Sequence, residues 1–420
     1  MSIQKHGENN DPTVTPRTPG CSDGFRLNAR QALRFVIVFG IVSLFADMTY
    51  EGMRAIAGPY LAALGATGTV VGLVAGLGEL LGYTLRLISG RAADRSRLYW
   101  PITLAGYVVQ MAAVPALALA GNWPTAAGLI ILERIGKATR NPPRDLMLSQ
   151  AGERIGQGWA FGLHEALDQS GAVIGPLLAA WQLARGHDYR SAFAWMLVPA
   201  AIAVSLVVSV RLRYPDAGRM GSSLRDAPVS DGEARRLSRV FWVYSAGAGL
   251  VAFGFADYAL ISFHFAVAGT VSRATVPLLY ALAMATAGTG SLVAGRWYDR
   301  RGLVVLIPTT IVIAAYAPLV FLGGLPAAVI GTVLWGLGVG IHDTVMSAAI
   351  AHLVPTTRRA QAYGLFTAVY GVAWFAGSAT LGALYDRSLL ATAVVAALAQ
   401  ILGVVPIGIA MRLLRAGDRT

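Results

Sequence analysis

Cysteine occurs once, at Cys21 in a polar stretch, which excludes an intrachain disulfide and a cysteine-built metal site. Lysine occurs only at Lys5 and Lys137. Charge is scarce, with Asp, Glu, Lys and Arg making up 13% of 420 residues against 55% hydrophobic residues and 48 glycines. Together with a mean hydropathy of +0.57, this excludes an ordinary soluble domain and points to a polytopic membrane protein. Residues 1–30 lack the apolar core of a cleavable signal and carry Pro12, Pro16 and Pro19 with several charges, so they read as a retained disordered tail. A phosphate-binding loop, a zinc-protease motif, a catalytic triad signal and metal-ligand spacing are missing too. No cofactor, no metal, no ATP and no enzyme activity are therefore expected. The net charge of +12 would suit nucleic acid, but the basic residues lie in turns and tails between apolar runs, where they report topology.

A spanning helix needs ~20 apolar residues, and the sequence offers twelve runs between polar turns, from 33–63 through 389–413. Arginines cluster in alternate turns, at Arg91–Arg97, Arg144–Arg154, Arg296–Arg301 and Arg358–Arg359. By the positive-inside rule those turns and both termini are cytoplasmic. Between the sixth and seventh runs lies the longest internal polar stretch, which gives this division: tail 1–30, first bundle 31–212, linker 213–238, second bundle 239–414, tail 415–420.

The halves echo each other. Gly90-Arg-Ala-Ala-Asp94-Arg95 returns as Gly295-Arg-Trp-Tyr-Asp299-Arg300, and Phe45-Ala46-Asp47 returns as Phe255-Ala256-Asp257. The first pair resembles the loops after the second and eighth helices of the major facilitator superfamily (MFS). Arg97 stands where that family usually has Gly, and Gly302 keeps it in the second copy. A third Gly-x-x-x-Asp-Arg, Gly382 to Arg387, falls on the external side and reads as coincidence. Gly162, Gly171 and Gly175-Pro176 on the fifth run resemble the fifth-helix pattern of the family's antiporters, with Ala179-Ala180 where Gly-Gly often closes it. Physically, the glycines flatten a helix face and Pro176 allows a bend where that helix meets the other half. Leu132-Glu133-Arg134 resembles the fourth-helix pattern whose Arg takes part in proton transfer. The resemblance implies an all-α fold of two pseudo-symmetric six-helix bundles around a central site, in a bacterial inner membrane. Its latch residues Gly90, Asp94, Arg95, Gly295, Asp299 and Arg300 would lock the cytoplasmic side.

Ionisable groups at mid-membrane depth cost about 2.5–3.5 kcal/mol each on insertion scales, so they face a cavity or a partner. Asp47, Glu51 and Arg54 share a face of the first helix by spacing. Glu133, Lys137, Arg140 and Arg144 recur on the fourth beside Arg134, and the fifth carries His164, Glu165 and Asp168. Asp257 and His342-Asp343 belong to the second half. One reading pairs these groups off, for example Glu133 with Lys137 or Asp47 with Arg54. The other makes Asp47, Glu51, Arg134, Asp168 and Asp257 a proton-coupling set, with Arg54, Glu133, Lys137, Arg140, His164, Glu165, His342 and Asp343 around the substrate. Excess cations on the fourth helix suggest an anionic substrate, although Arg140 and Arg144 also suit a cytoplasmic helix end. Trp100, Trp123 and Trp242 read as interfacial anchors. Trp159, Trp335 and Trp374 are candidate stackers, and His264 and His352 bond neighbours near helix ends.

The function expected is secondary transport of a small molecule by a monomer, as proton-coupled export by alternating access. Uptake by proton symport or facilitated diffusion is the alternative, with a membrane enzyme or sensor more remote.

Overall fold

The computed structural model describes residues 28–215, 217, 237–354 and 359–417. Most of tail 1–30 and linker 213–238, the last residues of tail 415–420, and the side chains of Asp94, His352 and Arg359 lie outside the described residues. Helices α1 (Ala29–Ala63), α2 (Gly68–Ser96), α3 (Tyr99–Ala116), α4 (Trp123–Ile155) and α5 (Gln157–Ala184) precede α6, which breaks into Tyr189–Trp195 and Leu197–Arg213. In the second half α7 breaks into Arg239–Phe253 and Tyr258–Ala268, followed by α8 (Thr275–Arg301) and α9 (Leu306–Ala314 and Tyr316–Leu322). Next come α10 (Leu325–Ile341, continued by a π turn at His342–Met346 and by Ser347–Leu353), α11 (Arg359–Tyr385) and α12 (Leu389–Gly417). No strand occurs among the described residues. The twelve segments overlie the twelve expected runs. Nine stretches among the described residues are long and apolar enough to cross a membrane by length and composition, and one of them, Thr275–Leu322, contains both α8 and α9.

Local chemistry sets the helix starts. Asn28 and Gln31 form a capping box on α1, while Thr67, Asn122, Asp188 and Ser238 cap α2, α4, α6 and α7 through their side chains. The two echoed Gly-x-x-x-Asp-Arg sequences are not loops; they form the last turns of α2 and α8. Each helix ends one residue beyond them, at Ser96 and Arg301, and the capping residue takes a positive φ, +56° at Arg97 and +63° at Gly302. Glycine adopts that conformation freely and arginine does not.

Small residues let backbones meet. A Cβ at Gly171 or Gly175 would overlap the Leu44 or Met48 carbonyl on α1, and one at Gly377 on α11 would overlap the Phe253 carbonyl on α7. The glycine face of α5 thus seats on α1 of its own half, while α5 also packs against α8 of the other half, as expected of the fifth helix. Gly162 faces open space. Trp100 is also corrected: it is buried and donates to the Tyr214 carbonyl at 3.1 Å, so it is no interfacial anchor.

The ends of the bundle opposite the arginine-rich turns are joined. Gly68, Gly72 and Gly76 recur every fourth residue on α2 and press against Ser378 and Gly382 on α11. The Asp386 carboxylate accepts from the Gly68 and Thr69 amides at 2.7 and 2.8 Å and from the Thr69 hydroxyl at 2.6 Å, an anion on a helix N-terminus. The third Gly-x-x-x-Asp-Arg is therefore no coincidence of sequence; its Gly and Asp hold this closure.

Candidate functional site

Between the halves lies a cavity of about 850 Å³. It is lined by Arg86 and Leu87 late in α2, Glu165 early in α5, Asp343 and Thr344 late in α10, and Tyr363 and Gly364 early in α11. It therefore opens toward the arginine-rich turns, away from the Asp386 closure.

The first half supplies its charge. Asp47, Glu51 and Arg54 share the cavity face of α1, as their spacing requires. Lys137 sits 3.8 Å from Asp47 and 3.6 Å from the centre of the Tyr50 ring. Asp168 lies within the field of the same lysine, and its Oδ1 is buried without a hydrogen-bond partner. Arg134 pairs at 2.9 Å with Glu79, an acid missed in the sequence although it stands alone in the apolar stretch of α2. Glu79 also meets Arg54 at 3.4 Å.

Three expected substrate contacts turn away from the cavity. Arg140 is fully buried within the first half, where it donates to Gln110 and, at 3.0 Å, to the Tyr107 hydroxyl, and meets Asp47 at 3.5 Å. Gln110 in turn donates to Glu133 at 2.7 Å, so Glu133 does not pair with Lys137. His164 shares a hydrogen bond of 2.8 Å with Ser43. Arg144 holds Asp145 at 2.8 Å. The α4 cations that suggested an anionic substrate are thus partnered, and that expectation loses its support.

The second half supplies aromatic surface: Phe255, Trp335, Tyr363, Tyr370 and Trp374 line the opposite wall with Met284. Phe255 is central, with ring centres 5.6 Å from Trp335, 5.5 Å from Trp374 and 5.4 Å from His342. It stands where α7 unwinds before Tyr258. Backbone freed there must be satisfied inside the protein. Accordingly the Tyr316 hydroxyl accepts from the Ala256 amide at 2.6 Å and donates to the Gly254 carbonyl, while Trp335 donates to the Ala256 carbonyl at 2.8 Å. On α10, Gly336 and Gly340 sit against the carbonyls of Ala283 and Ala287 on α8. The π turn that follows turns Asp343 and Thr344 to the cavity. Trp159 lies on the outer surface, 63% exposed.

Among the described residues two further polar ties cross between the halves, beside the closed end of the cavity. The Tyr280 hydroxyl on α8 donates to Glu51, and Arg54 reaches Asp257 at 3.4 Å. Asp257 caps the second piece of α7 and lies behind Arg54, outside the main cavity. In the arginine-rich turns Arg95, Asp299 and Arg300 are exposed and make no ion pair among the described residues.

The model of the Major Facilitator Superfamily matches residues 39–378 and 259–418. An uncharacterized protein of Mycobacterium tuberculosis (strain ATCC 25618 / H37Rv) is 43% identical over 370 residues, 86% of this chain and 89% of the relative. The multidrug resistance protein MdtH of Edwardsiella ictaluri is 27% identical over 163 residues, 39% of this chain and 37% of that protein. The solved nucleoside transporter NupG superposes with TM-score 0.72 at 13% identity, over 90% of this chain and 99% of its own. A POT family transporter bound to a conjugated peptide gives 0.71 at 15%, over 91% and 96%.

Proposed function

The chain belongs to the major facilitator superfamily, and from that premise we propose that it exports a small molecule in exchange for protons by rocking its halves about the central cavity. It is a multi-pass membrane transporter and not an enzyme. The single observation that carries proton coupling is the Asp168 carboxylate, which lines the cavity with the Asp47–Lys137 pair and has a buried Oδ1 without a hydrogen-bond partner. Asp47 is balanced by Lys137 and Arg140, whereas Asp168 makes no ion pair among the described residues, and one proton removes its buried charge. Protonation then releases Lys137 and weakens the first half's hold on its cavity face. Glu51–Tyr280 and Arg54–Asp257 are the contacts that must part when the other end opens. Asp94–Arg95 and Asp299–Arg300 would lock the arginine-rich side in the opposite state. By the positive-inside rule that side is cytoplasmic, so in this reading both termini lie on the cytoplasmic side of a bacterial inner membrane. One chain carries the whole cavity, in keeping with a functional monomer.

Export is favoured by the likeness to MdtH and by the fifth-helix pattern. Proton-coupled uptake is the second reading, because Gly171 and Gly175 seat α5 on α1, a role that either direction of transport needs.

The test is the internal pH of proteoliposomes on addition of candidate substrates, for the unmodified protein and Asp47→Asn. Substrate-dependent proton movement that the substitution abolishes, with the protein still folded, supports the reading. Movement unchanged by the substitution removes Asp47 and leaves Asp168 and Glu51. Labelled substrate crossing without protons replaces coupling with uniport.

A further inference from the structure

We propose that the aromatic wall of the second half is a subsite for a flat aromatic organic cation, with Asp343 as its counter-charge. This rests on reading the cavity as the substrate site. Three observations point to a ligand. His342 is 98% buried, lines the cavity, and has neither ring nitrogen hydrogen-bonded. The Trp374 indole N–H is likewise buried on the cavity wall without an acceptor. Asp343, carried into the cavity by the π turn, makes no ion pair among the described residues.

Buried polar atoms without partners are uncommon, and three of them, on two side chains of one wall beside an acid that makes no ion pair among the described residues, fit a site that a ligand completes. Trp374 is partly exposed on this wall, and Tyr370, Phe255 and Trp335 are packed behind it ring against ring, an aromatic surface that attracts a cation and on which a flat ring can stack. The charge balance favours a cation as well. Six acids line the cavity (Asp47, Glu51, Glu79, Glu165, Asp168, Asp343) against the four bases Arg54, Arg86, Arg134 and Lys137. Arg134 and Lys137 are already held by Glu79 and Asp47, and Arg54 by Glu79 and Asp257. Arg86 lines the mouth, makes no ion pair among the described residues and is the competing anchor, one that would favour an anion. The ligand is thus a planar ring carrying positive charge at one edge and a hydrogen-bond acceptor within reach of the Trp374 N–H.

Berberine, a planar quaternary cation with aryl ether acceptors, is a suitable probe, and fluorescein is its anionic counterpart. Both are titrated into the full-length protein in detergent, with binding read by fluorescence and without any gradient. Berberine is expected to bind saturably and fluorescein not. Asp343→Asn should weaken berberine about tenfold, the scale of one lost charge-assisted contact. Trp374→Phe, which keeps the ring and drops the N–H, should weaken it less, and Trp159→Phe on the outer surface should leave it unchanged. Fluorescein binding as tightly as berberine to the unmodified protein, or berberine affinity indifferent to Asp343→Asn, overturns the proposal. The first arm needs no variant and survives any folding failure. Berberine that binds as expected but moves no protons leaves this subsite standing and removes only the coupling reading.

Discussion

The two halves place the same three residues, Phe-Ala-Asp, at matching depth in α1 and α7 and build opposite walls from them. In the first half α1 runs unbroken through Asp47, so the carboxylate stands on the cavity face and gathers Lys137 and Arg140 around it. In the second, α7 unwinds, Asp257 turns to cap the next helical piece, and Phe255 takes the cavity face. Neighbours decide the difference. Tyr316, Trp335 and Gln400 bond the backbone that unwinding frees, whereas nothing comparable replaces helical bonds around Asp47. A sequence repeat thus fixes position along the helix, while the packed neighbours fix what the residue does there. The outcome is a charged wall suited to protons facing an aromatic wall suited to a ligand.

This contrast breaks most readily in the first half. Arg140→Met removes the buried cation shared by Asp47, Gln110 and Tyr107, and is expected to cost about 3–5 kcal/mol, since Asp47 keeps only Lys137 and the buried Gln110 and Tyr107 oxygens lose their donor. Unfolding in detergent measures it. A cost under 1 kcal/mol would mean that the charged wall is not held by this network. In the second half Trp335→Phe leaves the Ala256 carbonyl without its donor, and a smaller loss of about 1–3 kcal/mol is expected by the same assay. If it exceeded the Arg140 loss, the aromatic wall would be the more tightly built of the two.

The tie between the walls is weaker. Burial raises the Asp386 carboxyl, but hydrogen bonds from the Thr69 side chain and amide and from the Gly68 amide outweigh it and hold it below the usual carboxylate range. With the folded value below the unfolded one, the stabilisation is complete above about pH 4 and disappears as pH falls through the lowered folded value. Asp386→Ala should lose about 0.5–2 kcal/mol, as a lost helix cap does, at neutral pH and not at strongly acid pH. A loss that persists in acid would assign the effect to packing. Smallest is the difference between the two helix ends. Arg97→Gly should gain about 1 kcal/mol by relieving a left-handed arginine, and Gly302→Ala should lose a similar amount. The two caps share a positive φ but differ in ψ, 19° at Arg97 and −150° at Gly302; stability unchanged by Arg97→Gly would show that the left-handed arginine carries no strain.

Much of the fold was legible because hydrophobic runs and arginine-rich turns are properties of the chain alone. The Asp47-Glu51-Arg54 face was legible too, since helical spacing orients neighbours on one helix. Partners across helices were not. Glu79 was visible as a lone acid, but its choice of Arg134 depends on how α2 meets α4. Glu133, Arg140 and His164 turn from the cavity because Gln110, Tyr107 and Ser43 receive them from other helices. The unwinding of α7 has its cause in Tyr316 and Trp335, more than fifty residues away in sequence. Gly68, Gly72 and Gly76 did carry a readable signal, a small residue every fourth position, which would have pointed to the closure that Asp386 completes.

The division of labour between the walls is tested most directly by measuring protons moved per berberine, together with berberine affinity, in the same proteoliposomes for Asp168→Asn and Asp343→Asn. The account predicts that Asp168→Asn lowers the proton count while berberine still exchanges, and that Asp343→Asn weakens affinity while the count per berberine holds. Both substitutions changing the same quantity would contradict it.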